Sequence, residues 1–330
     1  MQNNAQKFVF LAVVVAAVLF SARMYPGVFI NGNTSNADGG SGAAAATGTP
    51  IFVLPSLTAN IGAQDPTAAP AVPASATDSG SAAPAITPAP DVGASAVLIA
   101  DLTTGKSYLD LNADERWPMA SVSKLMTAAV ATDVLSPDVH ITITSQMVAV
   151  DPTEQVLHVG DTYTVADLMH VMLLPSNNVA AEALADFYGR ANFLAAMNAK
   201  AQAWGMAGTY YDDPSGLSAA NESTASDLLK LAQHIYAQYP QVLAITRMPQ
   251  ATVENLSTGQ SVTVESINHF AGTPDFIGGK TGYTDQADGN LLSLFSYDGR
   301  PVFVVVLGID DGVRFDATQE LYAWFRQNYR

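Results

Sequence analysis

The 330-residue chain contains no cysteine, which removes a disulfide framework, a thiolate nucleophile and a thiolate metal site together. Positive charge is scarce. Lys and Arg number 14 against 30 Asp and Glu, for a formal net charge of -16. That balance argues against nucleic acid as a partner and against electrostatic docking on anionic lipid. The five histidines, His140, His158, His170, His234 and His269, show no metal-ligand spacing, and no metal or organic cofactor is expected. From Asn31 to about Val92 the chain lacks Lys, Arg, His, Trp and Tyr altogether and consists largely of Ala, Gly, Ser, Thr and Pro. Such a stretch cannot bury enough apolar surface to offset the entropy of ordering, so residues 31–92 are expected to be a disordered, semi-extended linker. Ile51–Leu57 is a short apolar interruption of it.

What is present begins with an apolar run of 15 residues, Phe8–Ala22. At 1.5 Å per residue it spans roughly 22 Å, short of a ~30 Å hydrocarbon core. Met24–Ile30 extends it, and Arg23 can snorkel. A signal peptide is the rival reading, but a cut after Ala22 would place Phe20 where a small residue is wanted. Residues 1–30 are therefore read as a single-pass membrane anchor, with a cleaved leader and a secreted or periplasmic product as the alternative. Lys7 and Arg23 balance, so basic flanks do not set an orientation.

Globular patterning starts at Gly93 and continues to residue 330. Ala96–Leu102, Thr103–Gly105 and Lys106–Asp110 read as strand, turn and strand. A helix follows from Ser121 to about Leu135, with Pro118 and Ala120 at its start. His140–Thr144 alternates like a strand, and Thr164 opens a helix ending near Leu174. Further helices are expected over Val179–Tyr188, Asn192–Trp204 and from Ser223-Thr224 to Tyr239, where Pro240 closes the last. Phe276–Thr281, Asn290–Tyr297 and Pro301–Leu307 are short apolar runs, the last two joined by the hairpin signal Asp298-Gly299. Phe315–Tyr329 reads as a closing amphipathic helix. The order predicts an α+β fold: an antiparallel sheet covered by terminal helices, with a helical subdomain inserted in the middle.

Three motifs carry chemistry. In Met119-Ala-Ser-Val-Ser-Lys-Leu-Met-Thr-Ala128, Ser121 and Lys124 stand three residues apart and share a helix face. Serine becomes a nucleophile when a neighbouring base takes its proton, and a lysine with a lowered pKa can be that base. Ser176-Asn177-Asn178 follows Pro175, which breaks the preceding helix. Ser176 offers a hydroxyl relay, and Asn178 offers both an acceptor and a donor. Gly278-Gly-Lys-Thr-Gly282 places the cation of Lys280 beside the hydroxyl of Thr281 on a strand, a carboxylate clamp flanked by glycines that admit an extended substrate. It is not a phosphate-binding loop. Position 274, where the leading glycine is needed, holds Pro274, and strands rather than a helix follow.

Ser-x-x-Lys, Ser-x-Asn and Lys-Thr-Gly, in this order on helix, loop and strand, resemble the penicillin-binding proteins, most of all the low-molecular-mass serine D-alanyl-D-alanine carboxypeptidases. Ala113–Pro118, Asp213–Leu217 and Tyr283-Thr284 are part of the likeness. The resemblance implies the β-lactamase/transpeptidase-like fold, substrates that are peptidoglycan peptides ending in D-Ala-D-Ala, and β-lactams as covalent inhibitors. It implies that Ser121 attacks, that Lys124 is its base, that Ser176 passes a proton to the leaving D-alanine while hydrogen-bonded with Lys124 and Lys280, and that Asn178 orients the substrate. Lys280 and Thr281 would grip the terminal carboxylate, and Gly282-Tyr283 would line the strand, with backbone N–H groups of Ser121 and Tyr283 as the oxyanion hole. Arg314 is a further candidate carboxylate contact. The alternatives are an endopeptidase on D-Ala cross-links, a β-lactamase, and a catalytically inert, tethered peptidoglycan-binding protein. Among Glu182, Glu222, Glu254 and Glu265 none lies in a deacylating-glutamate motif. Asn177 stands where the family more often has glycine or aspartate.

Overall fold

The computed structural model describes residues 87–153 and 156–329. The apolar run Phe8–Ala22, the Ile51–Leu57 stretch and the linker as far as residue 86 lie outside the described residues. Among the described residues, no helix is long and apolar enough to cross a membrane.

A hairpin opens the domain. β1 (Ala96–Asp101) turns into β2 (Ser107–Leu111) where Asp101 Oδ1 accepts from the N–H groups of Thr103 and Thr104 at 3.0 and 2.8 Å. β3 (Trp117–Pro118) and a short 3-10 turn, Ala120–Ser123, lead into α1 (Lys124–Val134). β4 (His140–Thr142), α2 (Ser145–Val148) and β5 (Thr162–Thr164) precede α3 (Val165–Leu173), α4 (Asn178–Tyr188) and α5 (Arg190–Ala203). β6 (Glu222–Ser223), α6 (Ala225–Gln238) and α7 (Pro240–Thr246) complete the helical block. The chain then runs through β7 (Gln250–Asn255), β8 (Gln260–Glu265), β9 (Phe276–Thr284), β10 (Asp288–Tyr297) and β11 (Arg300–Ile309) into α8 (Arg314–Asn328).

Local chemistry explains the boundaries. Thr164, Asn177 and Thr224 cap α3, α4 and α6, each side chain accepting from the backbone N–H three residues on. Asp298 and Gly299 have φ of 50° and 75°, as a two-residue hairpin turn of the primed type requires. Pro240 does more than close α6. As the first residue of α7 it needs no N–H partner, so a second helix starts where only a stop was expected. The β7–β8 hairpin was also not anticipated, because its strands are mostly polar; the only apolar side chains buried in it are Val253 and Val264.

The main sheet has the order β2-β1-β11-β10-β9 and is antiparallel throughout. Alternation along its strands sorts the side chains. Val97, Ile99, Val304, Val306 and Phe295 face α8, where they meet Leu321, Tyr322 and Phe325. Leu98, Ala100, Phe303, Val305 and Leu307 face the helical block and share its core. α1 runs through the middle of that block, with every residue from Lys124 to Ala131 buried. The segment ahead of β1 belongs to the rear layer. Thr87 N–H donates to Asn328 Oδ1 at 2.7 Å, Trp324 Nε1 donates to the Thr87 carbonyl at 2.9 Å, and Ala89 and Val92 pack against the α8 core. Residues 87–92, which composition alone assigned to the linker, are thus held by the domain.

Candidate active site

The nucleophile's position is set by three anchors. β3 pairs with β6, the Trp117 indole donates to the Ala287 carbonyl at 2.8 Å, and Asn290 Nδ2 donates to the Pro118 carbonyl at 2.9 Å. Pro118, expected at the start of the helix, lies instead in this bridge. The 3-10 turn ahead of α1 begins at Ala120, whose φ of 47° turns the chain sharply. Two glycines lie hard against this turn. A Cβ on Gly216 would stand 1.9 Å from the Ala120 carbonyl, and one on Gly282 would stand 2.8 Å from the Met119 carbonyl and 3.3 Å from Ser121 N. Ser121 is therefore held in a 3-10 turn at the head of α1, against the outer strand of the sheet, β9.

Lys124 lies one turn further in and is fully buried. Its Nζ is 2.8 Å from Ser121 Oγ and donates to Asn178 Oδ1 at 2.7 Å and to the Ser215 carbonyl at 2.6 Å. The last two partners can only accept. They take both hydrogens of a neutral amine and leave its lone pair facing the Ser121 hydroxyl. Burial pushes the Lys124 pKa down to about 7, and the carboxylates of Asp213 and Asp151 limit the fall.

Both flanking acids are built into turns. Asp213 accepts from the N–H groups of Ser215, Gly216 and Ser218 and from the Ser215 hydroxyl, which fixes the turn that delivers the Ser215 carbonyl. Asn221 ties this turn to the nucleophile's turn: its Nδ2 donates to Ser123 Oγ and to the Asp213 carbonyl, and its own carbonyl accepts from Met119 N–H. Asp151 Oδ2 accepts from Asn178 Nδ2 at 2.9 Å. Asp151, the Ser215 carbonyl and Asn221 were not singled out from the sequence. The turn that Asp213 and Ser215 build is what brings an acceptor to Lys124.

The opposite wall is β9. Lys280 is buried, and its Nζ donates to Ser176 Oγ at 2.7 Å, to the Thr281 carbonyl at 3.0 Å and to Thr281 Oγ1 at 3.3 Å. Burial, then the cations of Lys124 and Arg314, hold its pKa well below the usual lysine range. Ser176 adopts a left-handed φ of 66° between α3 and α4, which carries its hydroxyl to Lys280. Of the two lysines expected around Ser176, Lys280 makes the contact, while Lys124 is bonded to Asn178. Arg314 starts α8, donates to the Gly282 carbonyl at 3.0 Å and pairs with Asp311, and its Nε is buried with no partner. Tyr283 is half exposed, its hydroxyl donating to Asp285. The structure thus brings Ser121, Lys124, Ser176, Asn178, Lys280, Thr281 and Gly282 into one cleft between α1, the α3–α4 connection and β9.

Other polar groups lie elsewhere. His158 pairs with Asp161, His234 stacks on Trp204 and His269 stacks on Phe315. Among the described residues no cluster of three His, Cys, Asp or Glu could hold a metal. Glu182 is buried in an ion pair with Arg190, and Glu222 faces Arg116.

Comparison with known proteins places this arrangement. A family model described as D-alanyl-D-alanine carboxypeptidase matches residues 83–311. A D-alanyl-D-alanine endopeptidase of Pseudomonas aeruginosa is 34% identical over 226 residues, covering 66% of this chain and 72% of that protein. A crystal structure of a D-alanyl-D-alanine carboxypeptidase from Mycobacterium tuberculosis superposes with a TM-score of 0.67 at 28% identity, covering 72% of this chain and 92% of that one. A penicillin-binding protein of Listeria monocytogenes with cefotaxime bound superposes with a TM-score of 0.62 at 29% identity, covering 72% and 99%.

Proposed function

The chain belongs to the D-alanyl-D-alanine carboxypeptidase family of serine peptidases, and from that premise we propose that Ser121 is the nucleophile with which it removes the terminal D-alanine from peptidoglycan stem peptides. The observation that carries the assignment is the bond set of Lys124: two acceptors take its hydrogens and its lone pair is left to Ser121.

The steps follow from the geometry. A stem peptide lies extended along the free edge of β9. Its terminal carboxylate meets Lys280, Thr281 and Arg314, and Asn178 orients its backbone. Lys124 Nζ takes the Ser121 proton as Oγ attacks the carbonyl carbon of the penultimate D-alanine. The oxyanion forms beside Ser121 N and the N–H of Tyr283, each donor being worth about 10²–10³ in rate. The C–N bond breaks as the proton that Lys124 received is passed to the departing amine, with the Ser176 hydroxyl, which Lys280 holds, as the relay; Lys124 is neutral again. Water then gives a proton to Lys124 as its oxygen attacks the Ser121 ester, and Lys124 returns that proton to Oγ as the C–O bond breaks, restoring the serine. β-Lactams present the same reacting carbonyl and acylate the same oxygen.

Incubation with penicillin followed by intact-mass and peptide mapping tests this directly. One covalent adduct on Ser121 is expected, and its absence from the folded protein would overturn the assignment. A second reading, cleavage of D-Ala cross-links, is favoured by the likeness to the D-alanyl-D-alanine endopeptidase of Pseudomonas aeruginosa. Digestion of a pentapeptide muropeptide and of cross-linked dimers separates the two: free D-alanine marks the carboxypeptidase, monomer release the endopeptidase. Residues 1–30 anchor the enzyme in the cell membrane and the linker extends it outward; the support is the apolar run and the Pro-rich composition. Protease treatment of intact cells, which should release the domain, checks that placement.

A further inference from the structure

The geometry points to Asp151 as a positioning residue that fixes which end of the Asn178 amide faces the base. It rests on the reading of Lys124 as the base of Ser121. An asparagine amide can turn over, exchanging oxygen for nitrogen in nearly the same space. At Asn178 that exchange would be damaging. With the amide reversed, Nδ2 would donate into the Lys124 lone pair, which is otherwise free for the Ser121 proton.

Asp151 opposes the reversal because its carboxylate only accepts. Oδ1 is held within its own turn, receiving Thr153 Oγ1 at 2.6 Å and Thr153 N–H at 3.2 Å across the intervening Pro152. Oδ2 is thereby left for Asn178 Nδ2, at 2.9 Å, and Asn178 Oδ1 is turned to Lys124, at 2.7 Å. Thr153, then Asn178, lower the Asp151 pKa, so the carboxylate stays ionised across the working range. The charged groups facing Lys124 are Asp213 from its turn, Asp151 from the segment after α2 and Lys280 from β9.

The isosteric variant Asp151→Asn is the sharp test. Its side chain has one acceptor end and one donor end, while both of its partners are donors. If the oxygen stays with Thr153, the new amide nitrogen meets Asn178 and favours the reversed amide. Asp151→Ala removes the constraint without imposing the wrong one. Benzylpenicillin acylation of the full-length protein and both variants is followed across pH 5–9, with adducts mapped by mass and folding checked by thermal melting. The second-order acylation constant at its plateau should fall about tenfold in Asp151→Asn and less in Asp151→Ala. In both, the acid limb should move to lower pH, since a carboxylate that favours the charged amine has gone. Wild-type constants in both variants would overturn the inference, and so would a loss with the acid limb unmoved, which marks mere structural damage. Absence of an adduct on the unaltered protein would instead overturn the reading of Ser121, and this inference with it.

Discussion

The helical wall and the sheet wall of the cleft each hold one buried lysine, in opposite surroundings. Lys124 on α1 has two carboxylates nearby and two pure acceptors in contact. Lys280 on β9 has two hydroxyls and a carbonyl in contact and two other basic groups, Lys124 and Arg314, nearby. Acceptors that consume hydrogens leave a lone pair aimed at Ser121, which makes a base. Three acceptors around Lys280 match the three hydrogens of an ammonium, and a bound carboxylate would hold that charge in place, which makes an anion site. One residue type therefore serves two purposes, and the partners decide which.

The largest expected effect comes from removing the base. Lys124→Met keeps the side-chain volume and should slow penicillin acylation about 10³-fold, as loss of a general base typically does. An effect under tenfold would break the contrast between the walls. Lys280→Ala should act on binding instead, raising KM for a D-Ala-D-Ala peptide by roughly 10- to 100-fold, as loss of a charged hydrogen bond does. A substrate amidated at its C-terminus should show little of that change; an equal loss with both would mean that Lys280 does not recognise the carboxylate. In the unaltered enzyme, acylation should rise with pH through about 7. The sign follows from the base: below that value Lys124 is an ammonium without a lone pair, above it the lone pair is free. A rate flat from pH 5 to 9 would contradict the assignment of Lys124.

How much of this was legible in the sequence depends on what carries the information. Ser121 and Lys124 touch because they are neighbours on one turn, so their spacing sufficed. The Asp298-Gly299 hairpin was equally local. The partners of Lys124 were not local. One is a backbone carbonyl 91 residues away, and a carbonyl has no residue-type signature. Asp151 acts through Asn178, and nothing in the surrounding sequence marks that contact. Pro118 read as a helix start because the β3–β6 bridge involves only two residues on each side. The β7–β8 hairpin escaped notice because its polar strands bury few apolar residues.

The smallest expected effect concerns what stands behind the sheet wall. α8 begins at Arg314, which reaches the Gly282 carbonyl, and ends at Asn328 and Trp324, which hold Thr87. A chain starting at Gly93 loses the three hydrogen bonds between Thr87 and α8 and the cover of Ala89 and Val92 over the α8 core. Its melting temperature should fall by about 5 °C, the scale of one to two kcal/mol in a domain of this size. An unchanged melting temperature would return the domain boundary to residue 93. The acid limb of acylation should stay where it is, because no group near Lys124 belongs to this layer. If the limb moved, the two walls would not be independent, and the comparison between their lysines would have to include the rear layer as a third partner.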